Sequence, residues 1–180
     1  SIANGTDYYI KWTSTGSGGS SNSQGIALDN FSITASAATP VISSTETLAA
    51  VNTTYGTASS SPTSFNVSGA NMSAGILVTP PAGFEVSLAS GSGYAATVTV
   101  GSSGTIASTP VYVRLTSTAT VSGSPYSGNI VLSSSGATAL NVATVSSTVT
   151  AKALTITGIA ANNKLFDGNT DATLSGTASL

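Results

Sequence analysis

Short alternating segments separated by turn residues constrain the fold of this chain more than any other feature. The clearest example is residues 80–87, Pro-Pro-Ala-Gly-Phe-Glu-Val-Ser. Two prolines and a glycine favour a turn, and Phe84 and Val86 then alternate with polar residues, as in a strand with one apolar face. Such segments recur roughly every 8–12 residues, which is typical of a two-sheet β-sandwich.

The alternation predicts a series of short strands with almost no helix. Their predicted ranges are 41–43, 47–51, 64–67, 75–79, 84–88, 96–100, 111–116, 126–133 and 140–150. Turns are predicted at residues 69–73 and 101–104, which are rich in Gly, Ser and Asn. In the last strand the apolar residues change phase, which predicts a β-bulge near residues 143–144. We therefore predict an all-β fold built around an antiparallel sandwich.

The composition favours a folded chain over a disordered one. Disordered chains have few apolar residues and a high net charge. This chain of 180 residues is 40% hydrophobic and has a formal charge of −2, with only 6% charged residues. We expect its solubility to come from its many Ser and Thr hydroxyl groups.

The residue types that are missing limit the chemistry. The chain has neither Cys nor His, which rules out a Ser-His-Asp triad, a Cys-His pair and the usual zinc ligands. Four scattered basic residues argue against nucleic-acid binding, and no apolar run reaches the roughly 20 residues of a membrane helix. No signal peptide is visible at Ser1. We expect neither an enzyme nor a protein inserted in a membrane.

Three regions resemble parts of known modules. Residues 26–34, Ile-Ala-Leu-Asp-Asn-Phe-Ser-Ile-Thr, resemble the closing hairpin of a lectin-like jelly roll, so residues 1–38 are predicted to be the end of a preceding module. Residues 39–151 resemble an Ig-like repeat of large secreted or surface bacterial proteins, of the Bacteroidetes and Verrucomicrobia kind. That resemblance is carried by residues 54–56, 65–71, 81–87, 111–115 and 126–130.

Residues 152–180 resemble the beginning of a YDG repeat, with Phe166-Asp167-Gly168 in place of Tyr-Asp-Gly. The three resemblances together imply an Ig-like β-sandwich flanked by partial β modules. They also imply a secreted or cell-surface location.

A polar loop near the C-terminal end offers a candidate cation site. Asp167, Asn169 and Asp171 place oxygen ligands at alternate positions, as in short loops that wrap calcium. The alternative is a polar turn in which these side chains accept backbone hydrogen bonds. No other cofactor is predicted.

Aromatic residues near the N-terminal end offer a candidate sugar platform. Tyr8 and Trp12 lie close in sequence to Asp7, and aromatic rings beside carboxylates commonly hold sugars. The alternative is that these rings fill a sandwich core.

Three basic residues, Arg114, Lys152 and Lys164, suggest further interpretations. Arg114 is expected to be exposed or to pair across strands with a carboxylate such as Glu85. Lys152 and Lys164 raise the alternative of a Lys–Asn isopeptide crosslink, although no motif specifies one.

These observations favour a structural or adhesive segment of an extracellular bacterial protein. Sandwiches joined end to end would form a stalk or filament, and strands at either end would pair with neighbouring repeats or with another copy. Two alternatives remain: a carbohydrate-binding module that contacts surface polysaccharide, and an accessory region of a secreted enzyme.

Overall fold

The computed structural model describes Lys11, residues 37–45 and residues 47–179. The chain divides into two compact units, Ser1–Ser36 and Ala37–Leu180, and the fold described below lies in the second. Residues 26–34, which resemble a closing hairpin, lie outside the described residues.

The described residues form twelve strands and no helix. The strands are β1 (Val41–Thr45), β2 (Thr53–Thr54), β3 (Thr63–Met72), β4 (Ile76–Thr79), β5 (Phe84–Ser87), β6 (Val98–Val100), β7 (Gly104–Leu115), β8 (Asn129–Ser133), β9 (Leu140–Ala143), β10 (Val149–Thr150), β11 (Thr157–Ala161) and β12 (Leu174–Ser179).

Eight of these strands form two antiparallel sheets. Sheet 1 has the strand order β1-β3-β7-β5, and sheet 2 has the order β6-β4-β8-β9. Alternate residues of each sheet are fully buried in one shared core, for example Phe65 and Val111 of sheet 1 and Val78 and Leu132 of sheet 2. The β-sandwich with one apolar core that the alternation predicted is therefore confirmed.

Hydroxyl groups join the edges of the sandwich. The buried Ser59 Oγ donates a hydrogen bond to the Val51 carbonyl (2.5 Å) and accepts one from the Leu115 amide (3.1 Å). The buried Ser147 Oγ accepts a hydrogen bond from the Val51 amide (2.9 Å). Beside these contacts β2 and β10 pair in parallel. Because both buried serines have partners, they stabilise the edge without leaving a polar group unsatisfied.

The predicted turn at residues 80–83, followed by a strand from Phe84, is confirmed. The Phe84 amide donates to the Pro81 carbonyl (3.2 Å), and Gly83 has φ = 86°, which favours glycine. A Cβ on Gly83 would also lie 2.4 Å from the Tyr126 ring. That ring packs edge-on against Phe84, with 6.5 Å between the ring centroids.

Four of the predictions for turns and strands differ from the structure. Residues 47–51 are not a strand, because the Ala49 and Val51 amides bond the side chains of Thr63 and Ser147 instead of a neighbouring backbone. The predicted turn at 69–73 is mostly strand: β3 continues to Met72. There the extra residues are absorbed by irregularities in its pairing with β7.

The other two differences lie in later strands. The predicted turn at 101–104 ends where β7 begins, and β7 extends through residues 104–110 as well as the predicted 111–115. The predicted strand 140–150 is two strands, β9 and β10, and the residues between them still pair with the segment before β8. The Thr144 amide donates to the Gly128 carbonyl (2.8 Å), and Ser147 and Tyr126 exchange two backbone hydrogen bonds. Between these two pairs the register shifts by one residue, as in a β-bulge, close to the position predicted from the change of phase. After the bulge β10 pairs with β2.

Candidate functional site

One side of the sandwich is closed by a loop. The outer edge of β5 is covered by residues 88–96, since Val86 and Ala95 exchange two backbone hydrogen bonds of 2.9 Å. Ser87 Oγ donates to the Ser92 carbonyl (2.5 Å) and accepts from the Ala89 amide (3.0 Å). This loop therefore uses the hydrogen-bonding groups that an edge strand would otherwise leave open.

A charged cluster holds the same loop in place. Glu85 and Arg114 lie opposite each other on β5 and β7, and Arg114 Nε lies 2.7 Å from Glu85 Oε1. The Arg114 guanidinium also stacks on Tyr94 of the loop, 3.7 Å from the ring centroid. The predicted cross-strand pairing of Arg114 with Glu85 is thus observed.

The cluster also changes the acidity of the tyrosine. Burial raises the pKa of Tyr94 above its ordinary value of 10.0, and the Glu85 carboxylate raises it further while the Arg114 guanidinium opposes the rise. Tyr94 is therefore a neutral phenol at physiological pH. Its ring face is occupied by Arg114, which leaves no free platform for a ligand on that face.

On the opposite side of the sandwich each sheet ends in an edge strand. Among the described strands β1 pairs only with β3, and β9 pairs only with β8. The two strands flank what we call the open groove, lined by Val41, Ile42 and Ser44 of β1, by Leu48, and by Leu140–Ala143 of β9. Leu48 is buried, whereas Leu140 and Val142 are half-buried at the margin of the core. The open groove therefore combines two unpaired strand edges with an apolar floor.

The third feature is the hairpin formed by β11 and β12. All residues of both strands are exposed, and no other described strand pairs with them. The preceding Leu154 and Ile156 are 74% and 61% exposed, and Leu165 and Phe166 in the connection are 92% and 97% exposed. A two-stranded hairpin is marginally stable in water, so this hairpin has apolar surface that needs a neighbour.

The predicted calcium ligands surround a lysine. Lys164 Nζ lies 2.8 Å from Asp167 Oδ1, donates to the Asp171 carbonyl at 2.9 Å and contacts Asn169 Oδ1. The hydrogen bond from Lys164 holds the pKa of Asp167 below its ordinary value of 3.8. A calcium ion at this point would have to displace the ammonium group and would be repelled by its charge. The calcium site stays a prediction, as does the isopeptide crosslink.

The loop also contains the turn predicted as the alternative. Asp167 Oδ1 accepts a hydrogen bond from the Asn169 amide (3.1 Å), and Asn169 Oδ1 accepts one from the Asp171 amide (3.0 Å). These are the short-range side-chain to backbone bonds that Asp and Asn make in turns.

The remaining predictions concern a sugar platform, a metal site and a membrane helix. Tyr8 and Trp12 lie outside the described residues, so the sugar platform stays a prediction. Within residues 37–45 and 47–179 no three His, Cys, Asp or Glu side chains come together as a metal site. No helix of the length and hydrophobicity needed to cross a bilayer occurs in the part of the chain that the structure describes.

The open groove was not predicted from the sequence. Its two strands are distant in the chain, and their proximity depends on how the sheets stack. The exposure of Leu154 and Ile156 was likewise hidden, because their alternation with Thr155 and Thr157 is the pattern of any half-buried strand. Comparison of the chain with models of known protein families, with curated proteins and with solved structures finds no match.

Proposed function

We propose that this chain is a structural segment of an extracellular bacterial protein, in which β modules join end to end as a stalk or filament. The observation that carries the proposal is the exposed hairpin of β11 and β12 with its uncovered apolar side chains. An element of this kind is useful when a neighbouring module covers it.

The sandwich itself supports a mechanical role. Its core draws on both sheets and is closed by hydroxyl hydrogen bonds that join residues far apart in the sequence, such as Val51 and Ser147. Strands paired in this way must separate together before the module extends. A stiff module with short connections is suited to transmitting force or setting a distance.

The strand arrangement supports kinship with Ig-like repeats. The spatial orders β1-β3-β7-β5 and β6-β4-β8-β9 correspond to A-B-E-D and C′-C-F-G of an immunoglobulin-type sandwich. The parallel pairing of β2 with β10 joins the segments that follow β1 and β9 in the chain. One connection differs: the chain forms β5, in the D position, before β6, in the C′ position. The resemblance therefore extends to the positions of the strands but not to the order in which β5 and β6 follow each other in the chain.

Immunogold electron microscopy of the native material, with antibodies raised against this chain, tests the proposed function. We expect label on fibres or surface projections outside the cell, repeated at regular intervals. Label confined to the cytoplasm, or material recovered only as dispersed soluble monomers, would overturn the proposal. Retention of the chain on polysaccharide, without any fibre, would instead favour a carbohydrate-binding module. Label that tracks a secreted catalytic activity would favour an accessory region of an enzyme.

A further inference from the structure

We propose that residues 154–161 of one copy of this chain add as a strand to β9 of a second copy and fill its open groove. The inference rests on the proposed function and names the contact by which modules join. In this contact the donor segment is residues 154–161, and the acceptor is β9 together with the open groove.

The acceptor has the two properties that strand addition requires. Its backbone is available, since β9 pairs with β8 on one side and with no described strand on the other. Leu140 and Val142 pack against the core and alternate with the exposed Asn141 and Ala143, so the apolar side chains of β9 lie at the margin of the groove. An added strand would gain main-chain hydrogen bonds from the edge and side-chain specificity from the groove.

The competing edges are less suitable. The edge of β5 is closed by the Val86–Ala95 bridge. The edge of sheet 2 opposite β9 is β6, which has only three residues. Among the described strands, the open groove is therefore the side of the sandwich on which each sheet ends in an edge strand of four or five residues.

The donor segment has the matching pattern. Leu154 and Ile156 are two residues apart, so they lie on one face of an extended chain, while Thr155 and Thr157 lie on the other. Both apolar side chains are largely exposed in the isolated chain. Transfer of these side chains into the open groove would remove their apolar area from water, which favours association.

The absence of charged residues from both surfaces favours a second copy of this chain as the partner. Neither the donor segment nor β1 nor β9 contains a charged residue. Edge strands that avoid association commonly carry lysine or other charges, and this chain has none at either surface. Joining the two surfaces therefore desolvates no charge, and one chain supplies both of them.

The contact is directional. The donor of one copy and the acceptor of the next are different surfaces, so each copy retains one free donor and one free groove after joining. Heterologous contacts of this type continue into a fibre unless the rotation between copies closes a ring.

Sedimentation velocity of the full chain over a range of concentrations is the first test. We expect the mean mass to rise with concentration. Ile156→Lys should weaken association at least about tenfold, because it would bury a charge in the apolar groove. Thr155→Lys is the matched control: the neighbouring exposed residue faces away from the groove, so it should associate like the native chain. Equal effects of the two substitutions, or a chain that stays monomeric throughout, would overturn the proposal.

Cysteine trapping identifies the acceptor, and the absence of Cys from the chain leaves no competing thiol. A mixture of the single variants Asn141→Cys and Thr155→Cys should form a disulfide-linked dimer under mild oxidation. Thr99→Cys, an exposed position on β6, replaces Asn141→Cys as the control and should not crosslink to Thr155→Cys. Equal yields for the two pairs would overturn the assignment to β9.

The strand-in-groove contact and the filament function can be rejected independently of each other. Fibres labelled in native material, together with an Ile156→Lys variant that associates normally, would reject only the strand-in-groove contact. Association that depends on Ile156, in a protein found only as soluble dimers or rings, would leave the contact standing and reject the filament.

Discussion

At the scale of single residues, the Arg114–Glu85 ion pair holds a loop in place. Arg114 is 27% exposed and Glu85 is 19% exposed, so their ion pair is partly shielded from solvent. Because Arg114 also stacks on Tyr94, it connects β7 to the loop that covers the edge of β5. In a chain with only ten charged residues (four basic plus six acidic), this pair has a structural task.

Arg114→Ala is expected to lower the free energy of unfolding by about 1–2 kcal/mol, because it removes the cation–π contact and leaves Glu85 without its partner. Urea denaturation measures the change. A double-mutant cycle with Glu85→Gln separates the ion pair from the stacking and should give a smaller coupling, about 0.5–1 kcal/mol. An unchanged denaturation midpoint for Arg114→Ala would show that the cluster does not hold the loop.

At the scale of elements, the connection between β11 and β12 contains a lysine at the position predicted for a calcium ion. Lys164 occupies the point on which the oxygens of residues 167–171 converge, and the ammonium group keeps Asp167 ionised. The element thus forms a compact polar turn, while Leu165 and Phe166 beside it remain exposed. The hydrogen-bonded polar turn and the exposed apolar side chains beside it are consistent with the proposed contact surface for another module.

NMR titration of the Asp167 carboxyl carbon should give a pKa below 3.8. A carboxyl group whose pKa is lowered in the folded state favours that state above its ordinary pKa, and the benefit is lost as pH falls through the lowered value. We therefore expect the loop to lose order only in acid. Lys164→Met should raise the pKa of Asp167 toward 3.8, whereas Lys152→Met, outside the loop, should not. A pKa that ignores Lys164 would contradict the observed contact.

At the scale of the whole molecule, stability is unevenly distributed. The sandwich has a shared core from two sheets, whereas the hairpin of β11 and β12 buries none of its residues. Local opening of the hairpin should therefore cost far less free energy than unfolding of the sandwich. The molecule combines a sandwich with a buried core and a hairpin that, in the proposed assembly, would gain order from a neighbouring copy.

Hydrogen exchange of the full chain in dilute solution should show this division. Amides of β3 and β7 should exchange at least about a hundredfold more slowly than those of β11 and β12, since only the former require global unfolding. Raising the protein concentration should protect residues 154–161 and β9, and leave β6 unchanged. Uniform protection across the chain at low concentration would show that the hairpin needs no neighbour.

Much of the fold was accessible from the sequence because strand alternation is a local property. The period of two predicted the all-β class and the buried face of β5, and the proline-glycine turn before Phe84 was confirmed. The pairing of Arg114 with Glu85 was also anticipated, since both alternate with inward-facing residues. The predictions failed where distant side chains intervened, as at Val51, whose amide bonds Ser147 instead of a strand.

The sequence by itself thus determined the class of structure and excluded much chemistry, because composition and periodicity are properties of neighbouring residues. Only the tertiary structure decided where strands end, how β10 comes to pair with β2, and which of the described strands end their sheets. The contact of Lys164 with the oxygens predicted to bind calcium is local, within residues 164–171, yet composition and spacing do not show where that side chain lies. For edges and grooves the physical reason is distance: they exist only when segments far apart in the chain come together, and local pattern carries no record of that distance.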